Sequence, residues 1–488
     1  MNISLQTARA LTRRQFFASS GLCLGGIALG SLMSGTSSAM QTEAEPDPLK
    51  PMIPRPAPRP SQARAIIYLH MSGAPPALDL YDYKPELNRL HMQPCPDSFL
   101  KNQRFAFIKG VPKMLGSPHP FRQSGQSGGW FSSKIPHIAS IADDICVVRS
   151  MWTDQFNHAP AELFLFTGNM RAGQPSLGSW LTYGLGSENQ NLPGFVVLLS
   201  GGTDPTGGKS LWSAGFLPGV YQGVQCRTTG EPILYASNPA GMSRESRRRS
   251  LDTLRQLNEF EAKTFGDAET VTRIEQYELA FRMQASVPET FDINQEPAQV
   301  LEMYGAKPGE GSFANNCLLA RRLVERGVRL VQLFDWGWDI HGTGEGDDLM
   351  KAFPKKCRDV DQASAALIRD LKQRGLLDEV LVVWGGEFGR TPMNEARNGS
   401  TFLGRDHHPH SFTLWMAGGG IKPGLTYGRT DEFGYFVVEN KVTVRDLQTT
   451  LLHQMGIDAH KFTYKYQGLN QKLIGVTGEG EVVREILS

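Results

Sequence analysis

Six short apolar runs constrain this chain more than any other feature. They are Ala65–His70 (AIIYLH), Ile145–Arg149 (ICVVR), Phe195–Leu199 (FVVLL), Val328–Phe334 (VRLVQLF), Val380–Trp384 (VLVVW) and Phe412–Met416 (FTLWM). Runs this short and this continuously apolar suit strands inside a parallel sheet that is covered on both faces. Asn315–Arg326 reads as a helix stopped by Gly327, and Lys355–Arg374 as another stopped by Gly375, each followed at once by a strand. Repeated helix–strand units predict an α/β fold with right-handed crossovers. At 488 residues and 40% hydrophobic content, the chain can bury the core such a fold needs.

The rhythm is interrupted over 240–304, where Arg244 to Met303 predicts a helical insertion with Leu251, Leu254 and Leu257 on one side. Arg244, Arg247, Arg248 and Arg249 read as a solvated face, with anion binding as the sharper alternative. Upstream, Thr12-Arg13-Arg14-Gln15-Phe16-Phe17 precedes a mildly apolar run, and Ser37-Ser38-Ala39 supplies small residues. This predicts a twin-arginine signal peptide over 1–39, cleaved after Ala39, and work in the periplasm or outside the cell. Folded export suits a protein loaded with a metal or cofactor before secretion. After cleavage no integral membrane span is expected. Residues 40–62, with seven prolines between Pro46 and Pro60, read as a solvated linker. The main domain is expected over 63–475, with a tail at 476–488.

Removing 1–39 takes away three arginines and no acids, leaving 47 basic against 49 acidic residues, a balance that does not suggest nucleic acid as a partner. Cys95, Cys146, Cys226, Cys317 and Cys357 are scattered and contain no Cys-x-x-Cys pair, which argues against a zinc–thiolate site.

Ligands of open parallel sheets bind beyond the carboxyl ends of the strands. After the first strand come Ser72, Gly73, Asp79 and Asp82; after ICVVR, Asp154, Asn157 and His158; after VRLVQLF, Asp335, Asp339 and His341. Gly385-Gly386-Glu387-Phe388-Gly389-Arg390 follows VLVVW, and Asp406-His407-His408-Pro409-His410 precedes FTLWM. Imidazole and carboxylate gathered at one edge are the donors a divalent metal requires, whether Zn, Mn, Mg or Ca. Gly125–Gly129 matches G-x-S-x-G, but no strand is expected before it, so a nucleophile elbow is unsupported.

The same strings carry a resemblance. Ile66–Pro75, Leu78–Asp82, Asn157–Pro160, Trp338–Gly342, Glu387-Phe388-Gly389-Arg390-Thr391-Pro392 and Asp406–Pro409 resemble domain-of-unknown-function family 1501 from about Arg64 to Leu473. The resemblance implies a sulfatase-like branch of the alkaline phosphatase superfamily: a doubly wound, mainly parallel sheet and a metal-dependent hydrolase of sulfate or phosphate esters. It also implies a haem-binding partner protein in the same compartment. Asp339, His341, Glu387, His408 and His410 become the expected metal ligands, and His158 and Arg390 the expected catalytic residues. Asp79, Asp406 and Asn157 are expected to support them. Ser72 stands where the superfamily has Asp, and Phe388 where it has His, which leaves one metal centre and puts a second in doubt.

The nucleophile of such enzymes lies nine residues before the Thr-Gly that ends its helix. Counting back from Thr167-Gly168 gives His158, not Cys, Ser or Thr. An imidazole there is expected to ligate the metal or act as general base toward water, with phosphoryl transfer to the ring ranked lower and a plain helix cap as the structural alternative. The competing function is a non-catalytic descendant that binds a glycan or an extracytoplasmic partner, with Trp130, Trp152, Trp180, Trp212, Trp336 and Trp338 as stacking faces.

Overall fold

The computed structural model describes residues 50–488, apart from 101–104, 234–237, 239–240 and 266–267; side chains at 258–259, 261–265, 268–272 and 285 are also left undescribed. The leader over 1–39 and the linker up to residue 49 lie outside the described residues.

All six apolar runs form strands of one nine-stranded sheet. In chain order its strands are β1 (Ala65–Ser72), β2 (Cys146–Trp152), β3 (Phe195–Ser200), β4 (Val224–Cys226), β5 (Leu330–Trp336) and β6 (Val380–Gly385). A small hairpin of β7 (Gly389–Arg390) and β8 (His407–His408) follows, then β9 (Phe412–Ala417), β10 (Leu425–Tyr427) and β11 (Val442–Thr443) return to the main sheet. The spatial order is β10-β2-β9-β6-β1-β5-β3-β4, with β11 also on β2. The fold is α/β with a mostly parallel sheet, and β1 lies between β5 and β6 where the winding changes direction. Strand β9 runs antiparallel to both of its neighbours. The chain leaves β6 and re-enters at the same edge through the hairpin, without a crossover helix, so it must run back.

Helices cover both faces. They are α1 (His158–Thr167), α2 (Leu177–Leu185), α3 (Arg244–Phe265), α4 (Ala268–Phe291), α5 (Ala298–Tyr304), α6 (Phe313–Glu325), α7 (Ala352–Gln373) and α8 (Val444–Gln454). Strand β1 shows the layering residue by residue. Ala65, Ile67, Leu69 and Met71 join the apolar cluster of α6 and α7, while Ile66 and Tyr68 join that of α1, α2 and α8. This is the period-two alternation of a strand buried on both sides. It also places His70 on the α1 face.

The insertion carries α3, α4 and α5. Of its three periodic leucines Leu251 is buried, while Leu254 and Leu257 are exposed. Its arginines are taken up locally, Arg248 by Glu278 and Asp252, Arg249 by Glu245, and Arg244 over the Phe281 ring.

Two expectations change. The linker's described part is tied to the domain although most of its residues stay exposed: Arg55 N–H donates to Leu185, Arg59 N–H to Gly456 and Gln62 N–H to Gln454. A strand, Phe121–Ser124, does precede the G-x-S-x-G string, but it is half of a hairpin with Gly129–Ser132, and Ser127 lies exposed at its turn. The five cysteines named above are free and buried. No helix among the described residues is long and apolar enough to cross a membrane.

Candidate functional site

The carboxyl edge of β1, β5 and β6 gathers the polar strings around one atom, Asp339 Oδ1. His341 Nε2 lies 2.9 Å from it, His158 Nε2 3.2 Å and His407 Nε2 3.3 Å, and Arg390 Nη2 pairs with it at 2.5 Å. Three backbone features bring these groups together. Gly73, at φ +108°, ends β1 so closely under Asp339 that a Cβ there would lie 2.5 Å from the Asp339 nitrogen. Asn157 is the N-cap of α1 without a side-chain bond, so His158 is the first helical residue and aims inward rather than capping. Gly168, left-handed at φ +69°, closes the helix, so the spacing to Thr167-Gly168 counted in the sequence is the span of α1.

Each imidazole is oriented through its other nitrogen. His158 Nδ1–H donates to Glu387, His341 Nδ1–H to Glu395, and His407 Nδ1–H to the Phe156 carbonyl. For the neutral rings these partners assign the tautomers: Nδ1 carries the proton and Nε2 presents a lone pair. Three lone pairs therefore face a carboxylate oxygen, and His341 Nε2 and His407 Nε2 stand 3.1 Å apart. Acceptors crowded this way repel unless a proton or a cation sits between them, and carboxylate- or carbonyl-oriented imidazoles are what metal sites use. His158, Asp339 and His407 form one group whose donor atoms all lie within 4.8 Å of one another. The donor set fits a divalent ion.

Charge follows geometry. At His158 a proton fills this place when no cation does: burial works to lower the imidazole, but hydrogen bonds to Asp339 and Glu387 win and raise it to about 9, so Nε2 then carries a proton toward Asp339. His407 is pushed down to about 4 by burial and by Arg390. Burial opposes ionisation of Asp339, yet Arg390 and the histidines hold its carboxyl far below the usual range.

The structure sorts the expected site residues. It brings together His158, Asp339 and His341 directly, and Glu387 through His158. His408 and His410 turn away: His408 Nε2 is 2.6 Å from the Tyr435 carbonyl, and His410 stacks on Trp152. Successive strand residues point to opposite faces, so in β8 His407 takes the inward place and His408 the outward one. Arg390 is fully committed, donating to the carbonyls of Gly73, Ala74 and Arg405 as well as to Asp339, which makes it a brace for Asp339. Asp79 grips Arg405 in a buried pair. Asp406 accepts the N–H groups of Phe107, Ile108 and His407, not an imidazole, and so holds the segment whose Phe107 ring packs edge-on against His341 and His407.

Sequence reasoning missed Glu395 and the inward place of His407, and it gave no role to His70 or Glu162, although His70 Nε2 stands 3.4 Å from Glu387 Oε2 and 3.6 Å from Glu162 Oε1. His70 is the polar residue that ends the apolar run AIIYLH, and Glu162 is the one acid in Ala159–Phe166; a charge placed in so apolar a stretch is the signal that could have found them. Of the six tryptophans, Trp180, Trp212 and Trp338 are core, while Trp130, Trp152 and Trp336 are half-buried, and Trp336 lies edge-on to His158.

Several solved structures align with this chain at low identity and low TM-score. A phosphonate monoester hydrolase from Silicibacter pomeroyi aligns at 12% identity and TM-score 0.35, over 88% of this chain and 76% of that one. A sulfatase from Pseudoalteromonas sp. aligns at 12% and 0.36, over 81% and 68%. An alkaline phosphatase from the Antarctic bacterium TAB5 aligns at 12% and 0.26, over 74% and 92%. No curated protein matches the chain. The family described as "Protein of unknown function (DUF1501)" matches residues 63–487, and with nearly all of the chain beyond the Pro-rich stretch covered, this protein belongs to that family.

Proposed function

We propose that this protein is an extracytoplasmic, metal-dependent hydrolase of phosphate or sulfate esters in which an imidazole stands where relatives carry a hydroxyl or thiol nucleophile. The observation that carries the reading is the convergence of three Nδ1-oriented imidazoles on Asp339 at the carboxyl edge of the sheet. His158, His341, His407 and Asp339 would hold the ion, with Glu387 and Glu395 fixing the rings. A divalent ion bound there would neutralise charge and polarise an ester oxygen. The opening turn of α1 offers backbone N–H groups and the positive end of its dipole to an anionic ester. With Nδ1 committed to Glu387, His158 has one lone pair to offer: it is a ligand when the ion takes that nitrogen, and where His341, His407 and Asp339 hold the ion alone, the same nitrogen is suited to take a proton from an attacking water. Arg390 keeps Asp339 ionised and in place.

The test joins metal analysis of the purified protein to a screen of aryl phosphate, phosphodiester, phosphonate and sulfate esters. His158→Ala is expected to lower turnover at least about tenfold, the low end for a proton-transferring residue. A parent protein without bound metal and without turnover would sink the proposal. The imidazole at position 158 also favours a second reading, a non-catalytic binder of glycans or partners. That reading expects a metal-bound but inert protein whose ligand binding depends on Trp336. Export is proposed to follow the Arg13–Arg14 pair; replacing both by lysine is expected to leave the precursor in the cytoplasm, and normal export of that variant would refute it.

A further inference from the structure

Behind the Asp339 cluster lies a second group that shares only Glu387 with the proposed chemistry. His70 sits on the α1 face of β1, fully buried, with the rings of Phe166 at 5.0 Å and Phe334 at 5.4 Å against its imidazole. Among the described residues neither ring nitrogen makes a hydrogen bond. Its Nε2 stands 3.6 Å from Glu162 Oε1 and 3.4 Å from Glu387 Oε2, and both of these oxygens also lack a hydrogen-bond partner. All three side chains are wholly shielded from solvent, and the three facing atoms lie within 4.8 Å of one another.

The opposite oxygen of each carboxylate is firmly held. Glu162 Oε2 accepts from Thr206 Oγ1 at 2.8 Å and from the Gly207 N–H at 2.7 Å. Glu387 Oε1 accepts from the Gly73 N–H at 3.0 Å and from His158. Each carboxylate is thus oriented by one oxygen and left with the other free, and the free oxygens and the imidazole point at one spot. Among the described residues no Arg or Lys forms an ion pair with either glutamate. Two carboxylates facing each other in an apolar interior are costly without a compensating charge. Donors about 2.1 Å from a tetrahedral ion stand about 3.4 Å apart, which matches the spacing of Nε2 from its two carboxylate oxygens.

We infer that His70, Glu162 and Glu387 form an interior site for a divalent transition-metal ion such as zinc or manganese, separate from the Asp339 cluster. One imidazole with two carboxylates suits these ions better than calcium, which takes six to eight oxygens. Glu387 links the two sites, one oxygen toward the interior ion and the other on His158. Because the three ligands are closed off from solvent, the ion enters as the chain folds and leaves only when it unfolds. The inference does not depend on the hydrolase reading.

The experiment counts metal in two classes. The full protein is refolded with zinc or with manganese, treated with a chelator while native, and its remaining metal measured before and after guanidinium unfolding. About one chelator-resistant equivalent is expected in the parent and in Asp339→Asn, released only on unfolding, and its loss is expected in Glu162→Gln. A parent with no chelator-resistant metal after refolding in either ion overturns the inference, whatever the variants do. So does full retention of that equivalent in Glu162→Gln. Thermal unfolding supplies a second readout: added zinc or manganese during refolding raises the parent's Tm, and a shift of equal size in Glu162→Gln would count against the site. Loss of chelator-accessible metal alone, in Asp339→Asn, bears only on the Asp339 cluster.

Discussion

Asp79 and Arg405 are as deeply buried as His70, Glu162 and Glu387, and they lie at the same edge of the sheet, but the two groups are built differently. The Asp79–Arg405 pair is closed. Arg405 gives Nε and Nη2 to the carboxylate, at 2.7 and 3.2 Å, and Nη1 to the carbonyls of Leu115 and Thr391. Charge and hydrogen-bonding capacity balance within the protein, and the pair ties the strand β1 exit to the segment leading into β8. The His70–Glu162–Glu387 group is open, with an imidazole nitrogen and two carboxylate oxygens that lack hydrogen-bond partners aimed at one point. The first arrangement holds a fold together; the second needs something added. Burial alone does not distinguish structure from function, whereas unbalanced burial does.

Four predictions sharpen or break that contrast. The largest effect belongs to the closed pair. Asp79→Ala strands the Arg405 guanidinium in the interior and is expected to cost about 3–5 kcal/mol, measured by denaturant unfolding and unchanged by chelator. A chelator-dependent loss would place Asp79 with the open groups instead.

Next comes pH. Burial pushes His408 down to about 3, despite its bond to the Tyr435 carbonyl, against an unfolded value near 6.5. Between those values the unfolded chain binds a proton that the native ring refuses, so stability falls as pH drops from about 6.5 toward 3. By pH 5 this amounts to about 2 kcal/mol, and His408→Gln is expected to lose that much less between pH 7 and pH 5. His407, also pushed down, adds a slope of the same sign. An unchanged pH slope in His408→Gln would remove it from the account.

Glu395→Gln tests the orientation of His341. Loss of that carboxylate partner is expected to weaken metal binding about tenfold, read by competition with a chelator dye, while the fold is retained. Equal affinity would mean that His341 takes no part. The smallest effect is expected at Phe107, which is half-exposed over the His341 and His407 rings and under the Arg397 guanidinium. Phe107→Ala should speed metal release and change affinity by less than about threefold, the scale of a solvent-excluding neighbour rather than a donor.

The legible part of the site was the part that follows strand ends. Asp339, His341 and Glu387 sit just past β5 and β6, and His158 opens the helix after β2, so strand positions alone put them at one edge. The choice among His407, His408 and His410 was not legible. It depends on which side of a two-residue strand faces inward, and a slip of one residue reverses the answer. Strand position puts Asp79 and Asp406 near the edge, but packing sets the partners they meet: Arg405, more than three hundred residues away, for Asp79, and the backbone N–H groups of Phe107, Ile108 and His407 for Asp406.

The sequence by itself determined the α/β class, the six main strands, the two long helices that precede β5 and β6, and the placing of imidazole at the start of α1. These follow from local periodicity and stop signals, which act over a few residues and need no partner. Tertiary structure decided that β9 runs antiparallel, that the described part of the linker is tied down through backbone hydrogen bonds, and that Arg390 braces an aspartate. It also decided that His70, Glu162 and Glu387 meet. Those three residues come from a strand, a helix and a loop separated by 92 and 225 positions in the chain, since 162 − 70 = 92 and 387 − 162 = 225. Each reads locally as a polar residue in or beside an apolar run. Only the packing of α1 against β1, and the exit of β6 beside them, puts their free atoms on one point, because side-chain convergence is a property of the packed layers and not of any one segment.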